Sequence, residues 1–155
     1  MSRFTTIMTI VFLLLPAMLF STERLPRPEK ITLDNGLVIY YLENPELPLV
    51  SFRLLIKGAG SAFEPDGLDG LANFTADMLL KGTSTMTAEQ ISEALDFMGA
   101  RLNFASAEEY VSGGGECLSQ FLPRLLQIAA DCLSSPAFKE DEYKKELSRK
   151  VDTLK

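Results

Sequence analysis

Apolar residues recur along the chain in two patterns, one typical of strands and one typical of helices. Short runs rich in β-branched and aromatic residues predict strands at residues 31–33, 37–42, 49–57, 101–107 and 109–117. Apolar positions three and four residues apart predict helices over 68–81, between Thr87 and Gly99, over 119–134 and from Phe138 onward. This order favours the α+β class, with helices on one face of an antiparallel-rich sheet.

Turn and capping residues mark the ends of several predicted elements. Asn35-Gly36, between two strand-like runs, indicates a hairpin whose two central turn positions both need positive φ. Thr87 and Gln90 have the spacing of a capping box, and Gly99 is placed to close the same helix. The chain is therefore expected to open with a hairpin and to carry a well-capped helix in its middle.

Two local patterns have both a functional and a structural interpretation. The glycines at 113–115 resemble a phosphate loop, but no Lys-Ser or Lys-Thr follows and Glu116 would repel an anion. We interpret them as a strand irregularity. The charged segment 139–146 is interpreted as a solvated helix face with spaced opposite charges.

The first residues differ in composition from the rest of the chain. Arg3 precedes an apolar run at 7–20, which is shorter than the roughly 20 residues needed to cross a bilayer. Leu19 and Ser21 fit loosely as the residues before a signal-peptidase cut. We expect a signal peptide at 1–21, export to the periplasm or secretion, and membrane contact only if this segment stays uncleaved as an anchor.

The remaining chain is divided into a linker at 22–29 and one domain at 30–155. No Gly or Pro follows Lys139, so the last helix has no stop signal and the domain is expected to be truncated at its C-terminal end.

Composition narrows the possible functions. Fifteen Lys and Arg against 21 Asp and Glu give a net charge of -6, which disfavours a nucleic-acid partner. The chain has no His and only two Cys, which excludes a disulfide-rich scaffold, a Cys/His zinc cluster and a His-dependent triad. Cys117 and Cys132 are predicted to be unpaired core residues at opposite ends of a helix.

Several ordered blocks resemble one peptidase family. They are Gly58 to Pro65, Gly70 to Leu79 with Lys81-Gly82-Thr83, Ala88 to Phe97, Gly99 to Ser106 and Pro136-Ala137-Phe138. Together they look like the N-terminal domain of the insulinase and pitrilysin zinc metallopeptidases, over roughly residues 30–155. The resemblance implies a fold like that of processing-peptidase domains.

The resemblance also locates the family's zinc motif, which this chain lacks. Active members carry H-x-x-E-H, in which two His bind zinc and the Glu activates water. The matching positions are Asn73, Ala76 and Asp77, so both imidazoles and the base are absent. No catalytic residue and no zinc cofactor are therefore expected, and Asn73 and Asp77 are interpreted as a solvated helix face. Asp77 and Asp152 are the only weak metal candidates, with Thr153 the other residue matching the third ligand.

Three functions remain open at this point. The leading one is a non-catalytic subunit that assembles with a catalytic paralogue bearing an intact motif. The alternatives are an active metal-dependent endopeptidase using Asp77 and Asp152, and an inert fragment of a longer chain. The resemblance further implies that an unfolded peptide is held along a sheet edge, which matches Asn103, Phe104, Ala105 and Ser106; an ordinary strand is the other interpretation.

Overall fold

The computed structural model describes residues 27–153, so the predicted signal segment at 1–21 lies outside the described residues. The chain divides into two compact units between Pro45 and Glu46. Within 27–153, no helix is both long enough and apolar enough to cross a bilayer.

The described part of the first unit is the predicted hairpin. Strands β1 (Glu29–Thr32) and β2 (Val38–Tyr41) pair antiparallel, with Ile31 opposite Ile39. All eight of these strand residues are exposed. The hairpin is therefore held by its ladder and turn.

The turn of this hairpin differs from the prediction. The carbonyl oxygen of Leu33 accepts from the Gly36 amide at 2.9 Å, and the Leu33 amide donates to the Leu37 carbonyl at 2.9 Å. Gly36 has a φ of 85°, whereas Asn35 does not lie in the positive-φ region. The prediction of two positive-φ positions was wrong because the loop has three residues, and such a loop needs the left-handed conformation only at its last one.

The second unit contains a three-stranded antiparallel sheet. Its strands are β3 (Leu49–Lys57), β4 (Arg101–Ser106) and β5 (Tyr110–Leu118), and β5 lies between the other two. The register with β3 is continuous over the whole length of the two strands. The predicted strands are therefore all present, distributed over two sheets.

Four helices accompany this sheet. They are α1 (Leu71–Met78), α2 (Ala88–Met98), α3 (Leu122–Ser134) and α4 (Glu140–Thr153), with 3₁₀ turns at Ser61–Phe63 and Ser119–Phe121. The predicted α+β class is confirmed. The core lies between one sheet face and helices α1, α2 and α3, and its buried apolar residues include Ala76, Leu79, Ile91, Met98, Leu102, Phe104, Val111, Leu125 and Ile128.

Helix α1 is shorter than the predicted span of 68–81. Gly70, with a φ of 91°, stands immediately before it and turns the chain into the helix. The carboxylate of Glu64 accepts from the amides of Gly70 at 2.9 Å and Ala72 at 2.7 Å. A carboxylate there satisfies free amides and favours the positive end of the helix dipole, so α1 begins where Glu64 can cap it.

The glycines of β5 are part of a regular strand, so the interpretation as a strand irregularity was wrong. A Cβ at Gly115 would lie 2.6 Å from the Phe52 ring, and one at Gly113 would lie 2.8 Å from the Phe104 ring. Glycine is required because aromatic rings from β3 and β4 pack directly on the backbone of β5.

Both cysteines are free and buried, as predicted. Cys117 lies on β5, before the helix α3 that carries Cys132 near its end. Burial, and to a lesser extent the charge of Asp131, raises the pKa of Cys132 to about 11.

Candidate functional site

The three positions of the motif lie on α1, two on the side of the helix that faces α4 and one on the side that faces the core. Asn73 and Asp77, four residues apart, lie on the side of the helix toward α4, where both bind a residue of that helix. Ala76 faces the core and is 2% exposed. Asn73 is exposed, as expected of a solvated face, but Asp77 is partly buried, so that interpretation holds for Asn73 alone.

A lysine from α4 occupies the space between the two motif side chains. The Nζ atom of Lys150 lies 2.7 Å from Oδ1 of Asn73 and 2.6 Å from Oδ2 of Asp77. The side chains of Lys150 and Asp77 are 30% and 32% exposed, so water screens this pair only in part. The ammonium donates to both residues, at the two positions that the resemblance matches to the histidines of the zinc motif.

A second ion pair lies beside the first. Glu146, 2% exposed, accepts hydrogen bonds from the guanidinium of Arg149, and Lys81 Nζ lies 3.4 Å from its Oε2. The hydrogen bonds from Arg149, together with the charge of Lys81, hold the pKa of Glu146 below its usual value of 4.5. The interpretation of 139–146 as a solvated face was therefore wrong for Glu146, because this buried residue pairs with Lys81 in the turn after α1.

The two pairs form one network, which we call the α1–α4 cluster. Arg149 joins them, since its Nη2 lies 4.0 Å from Oδ2 of Asp77. Three side chains of the cluster are positive and two are negative, and its members are Asn73, Asp77, Lys81, Glu146, Arg149 and Lys150. The positive members and Glu146 were missed from the sequence. The available signal was the i, i+3 and i+4 spacing of Glu146, Arg149 and Lys150 on α4. Their partners Asp77 and Lys81 lie in α1 and in the turn after it.

The residues at the motif do not fit a zinc ion. Zinc in a catalytic site takes about three protein ligands and prefers imidazole, thiolate and carboxylate, whereas the motif offers one amide and one carboxylate that already bind an ammonium. Asp152 lies on α4 and is exposed. In residues 27–153 no three His, Cys, Asp or Glu side chains form a group suited to a metal.

An apolar groove of about 460 Å³ lies next to the α1–α4 cluster. Phe74 of α1 and Tyr143 of α4 meet edge to face across it, with ring centroids 5.2 Å apart. Phe138, at its rim, is the one described non-glycine residue with positive φ, at 43°. The contact between Phe74 and Tyr143 therefore joins α1 to α4, in addition to the ion pairs of the α1–α4 cluster.

Strand β4 carries the predicted peptide-binding residues, Asn103 to Ser106. It pairs only with β5 among the described strands, so it lies at an edge of the sheet. The Ala107 amide donates to the Tyr110 carbonyl at 2.8 Å. In an antiparallel pair, hydrogen-bonded positions alternate with positions that are not hydrogen-bonded to the partner strand. Since Ala107 is hydrogen-bonded to Tyr110, the main-chain groups of Leu102, Phe104 and Ser106 point away from β5.

The comparisons with known proteins agree on one family. Residues 38–154 match the family described as Insulinase (Peptidase family M16), and the chain therefore belongs to this peptidase family. An uncharacterized zinc protease of Rickettsia bellii is 37% identical over 74% of this chain and 27% of that protein. The uncharacterized zinc protease YmxG of Bacillus subtilis is 31% identical over 82% of this chain and 31% of that protein.

Two further matches show the fold and the range of the family. A peptidase M16 inactive domain from Pseudomonas fluorescens has a TM-score of 0.69 at 23% identity, over 83% of this chain and 30% of that chain. Cytochrome b-c1 complex subunit 1 of Bos taurus is 27% identical over 80% of this chain and 25% of that protein. The chain thus spans between a quarter and a third of the length of these relatives. The predicted resemblance is confirmed.

Proposed function

We propose that this chain is a non-catalytic subunit that assembles with an active zinc peptidase of its own family. The observation that carries the proposal is the ammonium of Lys150, 2.6 Å from Asp77 and 2.7 Å from Asn73 at the motif positions. Ala76 supports it, because a methyl group cannot take a proton from a nucleophilic water. An insulinase-type fold without its catalytic groups retains surfaces for binding and assembly.

The proposed partner is a catalytic paralogue with an intact H-x-x-E-H motif. Its support is that relatives of this chain include a protein named as a subunit of a complex, from Bos taurus, and a domain named inactive, from Pseudomonas fluorescens. We place the assembly in the periplasm or outside the cell, because Arg3 and the apolar run at 7–20 have the features of a signal peptide.

The proposed ligand is an extended, unfolded peptide added to the edge of β4. The outward main-chain groups of Leu102, Phe104 and Ser106 would bind it through backbone hydrogen bonds, which give affinity without demanding a sequence. Ser106→Pro removes one outward amide, whereas Ser106→Ala keeps it. Fluorescence anisotropy with a labelled unstructured peptide should show weaker binding for the proline variant and unchanged binding for the alanine variant; equal binding by both would remove β4 from the proposal.

Mixing experiments test the assembly itself. The exported chain and the paralogue are purified separately, then combined and analysed by size-exclusion chromatography and by cleavage of an unstructured peptide. We expect a larger co-eluting species and faster cleavage than by the paralogue alone, with no cleavage by this chain alone. Unchanged elution and unchanged cleavage would contradict the proposal. Cleavage by this chain alone that a chelator stops would favour an active metallopeptidase instead.

A further inference from the structure

The ammonium of Lys150 has the contacts that a structural cation would have. It lies within 2.7 Å of an oxygen from Asn73 and 2.6 Å of an oxygen from Asp77. Both partners belong to α1 and the lysine belongs to α4, so this one charged group bridges two side chains of the other helix. The two helices also meet where Arg149 lies 4.0 Å from Asp77 and at the ring contact between Phe74 and Tyr143.

Among the charged side chains of the α1–α4 cluster, Lys150 is the one that pairs most closely with Asp77. Glu146 is engaged by Arg149 and Lys81, and the nearest approach of Arg149 to Asp77 is 4.0 Å. The cluster has three positive and two negative side chains with Lys150, and two of each without it. A divalent ion placed between Asn73 and Asp77 would be repelled by the ammonium of Lys150 and would have to displace it.

We infer that Lys150 is the resident cation of this site. It neutralises Asp77, joins α1 to α4 and keeps divalent metals out. This inference goes beyond loss of the motif: the site is occupied by a group of the chain itself, so restoring histidines alone does not restore metal binding. It is independent of any partner subunit, so its failure and the failure of the proposed function are distinguishable.

A double-mutant cycle tests the link between the helices. Asp77→Asn, Lys150→Met and the double variant are unfolded in urea, and the exposed pair Glu140 and Lys144 of α4 gives the control cycle. We expect Lys150→Met to raise the unfolding equilibrium constant about tenfold, with a coupling of at least about fivefold to Asp77. The control pair should couple by less than about threefold. Equal coupling in both cycles would overturn the inference.

A metal titration tests exclusion. Asn73→His adds an imidazole four residues before Asp77, whose carboxylate still binds Lys150, and this variant is made with Lys150 retained and with Lys150→Ala. Zinc affinity is measured by competition with a chromophoric chelator. We expect the variant lacking Lys150 to bind zinc at least about tenfold more tightly. Equal affinity, or no zinc binding by either protein, would show that Lys150 is not what excludes the metal.

Discussion

Two phenylalanine rings press on the backbone of β5. Phe52 from β3 covers Gly115 and Phe104 from β4 covers Gly113, at distances where no Cβ fits. Between them, Gly114 faces the other side of the sheet, where a Cβ would lie 3.3 Å from the Phe52 carbonyl oxygen. Successive glycines of one strand thus face opposite sides of the sheet.

This difference predicts unequal effects of alanine at adjacent positions. Gly115→Ala should destabilise the protein by about 1–3 kcal/mol, because the Phe52 ring must leave its position over the strand. Gly114→Ala should cost less, since its neighbours need to move only a few tenths of an ångström. Thermal unfolding of both variants is the measurement. A greater loss at Gly114 would contradict the packing described here.

Glu146 predicts a pH dependence of stability. Its pKa is lowered in the folded state, so its contribution is complete above the unfolded value of 4.5 and is lost as the pH falls through the lowered pKa. Glu146→Gln should cost about 2 kcal/mol at pH 7, because a buried charged acceptor of Arg149 and Lys81 is removed. The difference from the unmodified protein should shrink below pH 4.5.

Urea unfolding between pH 7 and pH 3 measures this effect. Glu140→Gln is the matched control on the same helix, because Glu140 is 80% exposed and pairs only at the surface with Lys144. The control difference at pH 7 should be smaller than that for Glu146→Gln, because Glu140 acts only through its exposed pair and the start of α4. A stability difference for Glu146→Gln that is constant with pH would mean that its charge is not what stabilises the fold.

At the scale of elements, helix starts have local and distant causes. The capping box of α2 lies within four residues, and the structure has both hydrogen bonds, between Thr87 and Gln90. Gly99, with a φ of 57°, ends the same helix as predicted. The cap of α1 comes from Glu64, eight residues before the amide it binds at Ala72, and no sequence rule pairs these two positions.

The distant cap predicts a destabilised α1 when it is removed. Glu64→Ala should cost about 1–2 kcal/mol, because the amides of Gly70 and Ala72 lose a charged acceptor. Asp66→Ala changes the same charge at an exposed position of the same loop and should have little effect. Circular dichroism during thermal unfolding compares the two variants; equal losses would point to net charge in place of capping.

The same contrast explains what the sequence could predict about the site. Asn73, Ala76 and Asp77 lie within one helix turn and were found from a short motif. Lys150 is 77 positions away from Asn73, and its direction depends on how α4 packs on α1. The strands, the helices and the class follow from local periodicity, whereas the pairing of charges across two helices is fixed only by the tertiary structure.

At the scale of the whole molecule, segments that are distant in sequence build the core of the second unit. This core lies between one face of the sheet and helices α1, α2 and α3. Residues 38–154 match the insulinase family, and the described structure retains the helices and strands that carry the family motif. Of the three positions that match the zinc motif, Asn73 and Asp77 bind α4 and Ala76 fills the core. Proteins of one fold can therefore differ in activity through a few side chains while their cores remain.

The position of β5 between β3 and β4 has a consequence for biosynthesis. Because β5 is the last of these strands to leave a ribosome, β3 has no neighbour in the sheet while some fifty later residues are still being added. The nearby β4 and β5 can form a hairpin as soon as both emerge, and β3 joins afterwards at a greater loop-closure cost. A nascent chain arrested before Leu118 would expose the apolar side of β3 to chaperones.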